Sequence, residues 1–87
     1  MGINEIKPTL INIIATEARL PKDFDCDVNL IQLGIQSLSL MKIQIEIAKK
    51  FAVKLKFRDF IQNNSVNKLT QYLADKLGAE DERNGNK

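Results

Sequence analysis

Histidine and tryptophan are missing from this chain of 87 residues, and cysteine occurs once, at Cys26. Without histidine no imidazole can activate a serine or cysteine nucleophile, and a single thiol builds neither an intramolecular disulfide nor a zinc site of the usual ligand set. Aromatic residues make up only 6% of the chain, and 13 basic side chains against 11 acidic ones leave a net charge of +2. A dedicated nucleic-acid binder concentrates its basic residues in a stripe with aromatic platforms, so no nucleic-acid partner is expected. No apolar run approaches the ~20 residues that span a bilayer, and the first residues lack a basic segment followed by an apolar signal region. No membrane association is expected, and a cytoplasmic location is.

A chain of this length forms one small domain that buries ~60–65% of its unfolded surface, with little room for an enclosed catalytic pocket. It is therefore expected not to be an enzyme. Asp23, Asp25 and Asp27 alternate as in a calcium loop, but Val28 stands where that loop needs glycine, and no glutamate reaches its twelfth position. These acids read as a solvated turn after Pro21.

Periodicity gives an all-α fold, a small bundle of three main helices plus one short helix, with a long ordered loop between the first two. Ile6, Leu10, Ile13, Ile14 and Ala18 mark a first helix that begins around Asn4 to Lys7 and ends near Arg19 or Leu20. Pro8 is expected in its first turn, where a missing N–H costs nothing, and Pro21 closes the helix. Residues 21–36 follow no clean period yet are too apolar for a free linker, and Leu30 and Leu33 are expected to pack over the bundle.

The second helix is predicted from Ser37 or Leu38 to about Phe51. At ~100° per residue, Leu40, Ile43, Ile47 and Phe51 share one arc, while Leu38, Met41, Ile45 and Ala48 share another roughly 130° away. Val53, Leu55 and Phe57 alternate with Lys54 and Lys56, but no second strand pattern exists to pair with them, so this stretch is irregular. Arg58 to Gln62 suits one short helical turn. Asn63, Asn64 and Ser65 then give a turn and an N-cap before Val66, Leu69, Leu73 and Leu77, with Gly78 as the stop. Residues 1–78 make the domain, and the polar run Ala79–Lys87 is expected to be a disordered C-terminal tail. The predicted core contains Leu10, Ile14, Leu33, Ile43, Ile47, Leu69 and Leu73.

Ser37 opens a long apolar-periodic helix, directly after Leu33, Gly34, Ile35 and Gln36. As an N-cap it would hold its hydroxyl beside unpaired backbone N–H groups and the positive end of the helix dipole, which favour a phosphate. An N-cap serine is also common as a cap and nothing more.

The segment Leu33, Gly34, Ser37, Leu38 resembles the attachment motif of phosphopantetheine-dependent carrier proteins, the acyl and peptidyl carrier family. That motif has leucine, glycine, two variable positions, the modified serine, and then leucine or isoleucine. Further likeness lies in the apolar helix ending at Phe51, the Val53 and Leu55 exit, and Phe57 through Phe60 followed by Ser65 and Val66. The resemblance spans roughly Glu5 to Leu77. It implies an acyl-carrier-like bundle over residues 1–78, with 4′-phosphopantetheine joined covalently to Ser37 by a phosphopantetheinyl transferase. The arm's thiol would hold an acyl or aminoacyl group as a thioester. Further implied partners are an adenylating or acyl-loading enzyme and condensation, ketosynthase or thioesterase-type enzymes, with the carrier itself a monomer.

Two departures from the family pattern stand out. Gln36 occupies a position that is usually aspartate or histidine, and Lys42, Lys49 and Lys50 outnumber Glu46 on a helix that is acidic in fatty-acid carriers. The second departure favours a peptidyl or aryl carrier of nonribosomal-peptide or siderophore-type synthesis over a polyketide or fatty-acyl carrier. A small helical interaction domain without cofactor is the alternative of another class. Gln36, Leu38, Met41 and Ile45 are the candidate partner-docking residues, unless the first loop or the turn near Phe60 covers that stripe. The opening methionine and polar tail suggest a discrete protein, though an excised domain would look similar.

Overall fold

The computed structural model describes residues 3–78. They form α1 (Ile3–Ala18), α2 (Ser37–Phe51), α3 (Phe57–Gln62) and α4 (Val66–Leu77), with no strand among the described residues. The tail expected over residues 79–87 lies outside them. Helix α1 packs against both α2 and α4, and α3 rests on α2, the arrangement of a small carrier-like bundle.

The helical stripes converge as their spacing requires. Leu10 and Ile14 of α1, Ile43 and Ile47 of α2, and Leu69 and Leu73 of α4 are all fully buried. Phe60 of α3 is the largest side chain sealed in this core. Leu30 is fully buried, as expected of a loop that packs over the bundle; Leu33 corrects the expectation of a core residue, since it is only half-buried against the cluster and Ile35 is buried in its place. The reason is local. The Leu33 and Gly34 N–H groups donate to the carbonyls of Leu30 and Ile31 at 3.1 and 3.0 Å, coiling this stretch. Gly34 then takes φ +85°, a left-handed conformation that side chains disfavour, and the chain reverses so that Ile35 points inward.

Helix α1 starts at Ile3, so Pro8 falls in the second turn rather than the first. Its ring removes the N–H that would reach the Asn4 carbonyl, a loss confined to the exposed end of the helix. At the other end Arg19 turns left-handed at φ 58°, and the Leu20 N–H donates back to the Ala15 carbonyl at 3.0 Å. That bond satisfies a carbonyl the helix leaves open.

The long loop is fastened to the start of α4. The Leu30 N–H donates to the Asn64 carbonyl at 2.8 Å, and the Asn67 N–H donates to the Cys26 carbonyl at 3.1 Å. The Asn67 amide also donates to the Asp27 carboxylate, while Asp25 accepts the Asp27 N–H at 2.9 Å. These acids shape a turn. Among the described residues no group of three or more histidine, cysteine or acidic side chains is placed to hold a metal ion.

Ser65 caps α4, its hydroxyl accepting the Lys68 N–H at 3.2 Å, and Gly78 ends the helix at φ 62°. Because Ser65 is also buried, Ser65→Ala is expected to lower stability by about 0.5–2 kcal/mol. Urea unfolding monitored by circular dichroism measures this, and an unchanged midpoint would mean the cap contributes nothing.

Candidate functional site at the start of α2

Sequence spacing suggested Ser37 as the N-cap of α2, and the structure corrects this by one residue. Gln36 is the cap, extended at φ −76° and ψ 158°, and its carbonyl accepts the first helical bond, from the Leu40 N–H at 2.9 Å. No side chain caps this end. Ser37 is instead the first helical residue, and it is exposed. Its hydroxyl therefore stands outside the cap geometry in which it would accept a helix N–H.

The N–H groups of Ser37, Leu38 and Ser39 precede the first intrahelical bond and point out of the helix end. No acidic residue lies in this first turn. An anion held on the Ser37 oxygen would meet three open donors and the positive end of a 15-residue helix, with no nearby carboxylate on that turn to repel it. Such an end stabilises a negative charge by roughly 0.3–1 kcal/mol. The site thus suits a phosphodiester. The flanking residues Gln36 and Leu38 carry no titratable group.

The rest of the helix fixes this end in place. Leu40, Ile43, Ile47 and Phe51 are buried, which leaves Ser37 at the rim of the bundle rather than within it. The Gln44 amide donates to the Leu55 carbonyl at 2.7 Å, tying the α2–α3 connection along the flank of α2.

The second apolar stripe is open. Leu38, Met41 and Ile45 are 64%, 48% and 50% exposed, uncovered by the first loop or by α3. Gln36 is exposed beside them. Sequence reasoning missed two further exposed apolar side chains, Ile31 on the loop and Phe57 at the start of α3. Alternation from Val53 would have sent Phe57 to the same side as the buried Leu55. Helix α3 begins at Phe57, however, and the change of period turns its ring outward.

A cleft of about 260 Å³ lies between the C-terminal end of α1, residues 17–20, and the loop 33–36, with Ser39 on its wall. On the helix, Ser39 faces away from Ser37 by ~160° at ~100° per residue, so this cleft opens on the opposite side from the Ser37 hydroxyl.

A profile of the family described as "Phosphopantetheine attachment site" matches residues 8–73, which take in α2 with Ser37, the loop before it and most of α1 and α4. Comparisons with curated proteins and with solved structures give no significant match.

Proposed function

Since this chain belongs to the phosphopantetheine-attachment family of carrier domains, in which 4′-phosphopantetheine is bound covalently to a serine, we propose that Ser37 is that serine. One observation carries the reading: within the matched segment, Ser37 is exposed at the open N-terminus of α2, directly after the Leu33–Gly34 turn. The other two serines are less suited. Ser65 is buried and engaged as a cap, and Ser39 is only partly exposed on the far side of the helix.

In this reading the bound arm supplies a terminal thiol that carries the cargo. The chain's own residues do the rest. The Ser37 oxygen is the anchor, and the N–H groups of Ser37 to Ser39 stabilise the phosphate charge. Gln36 offers hydrogen bonds to a transferase without adding a negative charge next to that phosphate. The transfer chemistry belongs to the transferase, so the carrier acts as a substrate and shuttle rather than as an enzyme. Carrier domains work with such transferases and with synthase enzymes. No helix among the described residues is long and apolar enough to cross a membrane. The proposed carrier diffuses between its partners as a monomer in the cytoplasm.

Lys42, Lys49 and Lys50 against Glu46 on α2 favour the peptidyl or aryl carrier role, served by an adenylating enzyme, over a fatty-acyl or polyketide role. Co-expression with a broad-specificity phosphopantetheinyl transferase tests the proposal. Intact mass should rise by one phosphopantetheine. No gain with several transferases, or more than one attached group, would contradict it.

Gln36, Leu38, Met41 and Ile45 form the proposed docking face beside the arm. Methionine adapts to differently shaped partners. Met41→Ser is expected to leave the melting temperature nearly unchanged, because the side chain is about half exposed, while slowing thioester loading of the holo protein roughly tenfold. A variant that loads as fast as wild type, or one that unfolds, would contradict the docking role.

A further inference from the structure

The exposed stripe on α2 is bordered mostly by positive charge. On the helix, Lys42 and Lys49 lie ~20–40° from Leu38 at ~100° per residue, so they flank Leu38 and Ile45 along the stripe's outer edge. The exposed Lys54 and Lys56 follow on the connection that Gln44 holds against α2, and Arg58 is exposed on α3 next to Phe57. Only Glu46 and Asp59 oppose them between Ser37 and Gln62. Charge is thus segregated in a chain whose net charge is just +2. The remaining acidic side chains lie elsewhere in the chain, among them Asp23, Asp25 and Asp27, with Asp27 held to Asn67 at the start of α4.

From this we infer that the partner surface received by the α2–α3 face is a protein patch that is apolar at its centre and acidic at its edge. The inference rests on the docking reading of Leu38, Met41 and Ile45 and adds the chemistry of what docks there. Burying three apolar side chains needs an apolar counterpart, because a fully hydrated acidic surface would leave them wet. The lysine border then decides among apolar patches. An acidic rim is attracted and guided to the face, whereas a basic rim is repelled, an effect felt mostly in encounter rate and selectivity. A protein is favoured over an anionic membrane because Glu46 lies within the basic border and the stripe spans only Leu38 to Ile45. A membrane-bound helix instead carries a longer apolar face with an unbroken basic margin.

The test uses the chain without its arm, so it is independent of Ser37. Two amphipathic helical peptides share one leucine stripe and differ only in flanking glutamates or lysines, and each is titrated into the ¹⁵N-labelled protein. The glutamate peptide is expected to bind about tenfold more tightly in low salt, the combined effect of several exposed charge pairs. It should shift the amides of α2 and the α2–α3 connection, and its advantage should fade in ~1 M salt, where the Debye length is about 3 Å. Lys42→Glu with Lys49→Glu should reverse the preference. Lys68→Glu with Lys76→Glu, the same charge change on α4, should leave it intact. The inference is overturned by equal or tighter binding of the lysine peptide, by no binding of either, or by shifts centred on α1 or α4. An equal effect of the α4 control, or tighter binding to phosphatidylserine vesicles than to the glutamate peptide, also overturns it. Failure of Ser37 modification would appear in intact mass alone and leave these titrations unaffected.

Discussion

Ser37→Ala is expected to abolish phosphopantetheine attachment completely while leaving the fold as stable as wild type, within about 0.5 kcal/mol. The first half follows from chemistry, since alanine offers no oxygen to carry a phosphodiester. The second half follows from the structure. Had Ser37 been the N-cap, its loss would cost about 0.5–2 kcal/mol. Gln36 holds the cap position and no side chain caps this end, so Ser37→Ala removes no helix bond. Alanine is also a slightly better helix former than serine. Intact mass and thermal unfolding of the same preparation check both halves. A variant that keeps the added mass would move the attachment elsewhere. One that melts several degrees lower would mean the hydroxyl supports the helix after all.

The second large effect lies in the core. Ile47→Ala is expected to cost about 2–5 kcal/mol through lost burial and the cavity left behind. Ile47 is fully buried in the cluster that joins α1, α2 and α4. Small domains have only about 5–15 kcal/mol in total, so this single change removes a large share and should lower the melting temperature by on the order of 10 °C or more. Ile45→Ala is the matched control. It makes the same chemical change on the same helix, but at a side chain 50% exposed. The gain in helix propensity is common to both, so the difference between them reports burial alone. Equal melting temperatures for the two variants would contradict this difference in burial, and a lower one for Ile45→Ala would mean that the buried and open stripes of α2 are reversed.

These two effects mark what was legible in the sequence. The faces of α2 and α4 were, because a stripe of Leu40, Ile43, Ile47 and Phe51, or of Val66, Leu69 and Leu73, has one way to be buried once the helix forms. The ends of α4 were legible too, since Ser65 and Gly78 are residue types whose local chemistry fits those positions. The start of α2 at Ser37 was legible, but its cap was misread by one residue for an instructive reason. Serine is the better cap by propensity, yet the extended backbone falls on Gln36, and packing of Leu40 and Ile43 sets the register of the helix. That shift frees the hydroxyl on which the proposed function depends.

The loop was less legible. Its aperiodic turns gave no basis for choosing Ile35 over Leu33 as the buried side chain, because the choice depends on the left-handed Gly34 and on bonds to Asn64 and Asn67 more than thirty residues away. The Leu38, Met41, Ile45 stripe was visible as a second apolar arc. Its exposure was not, because whether the loop or α3 covers it is a tertiary matter.

The central claim is that Ser37 carries the arm, and fragmentation mass spectrometry of the wild-type chain after treatment with coenzyme A and a broad-specificity transferase tests it most directly. The account predicts a single phosphopantetheine, with fragment ions placing it on Ser37 and leaving Ser39 and Ser65 unmodified. Attachment at Ser39 or Ser65, or no attachment by any of several transferases, would contradict it.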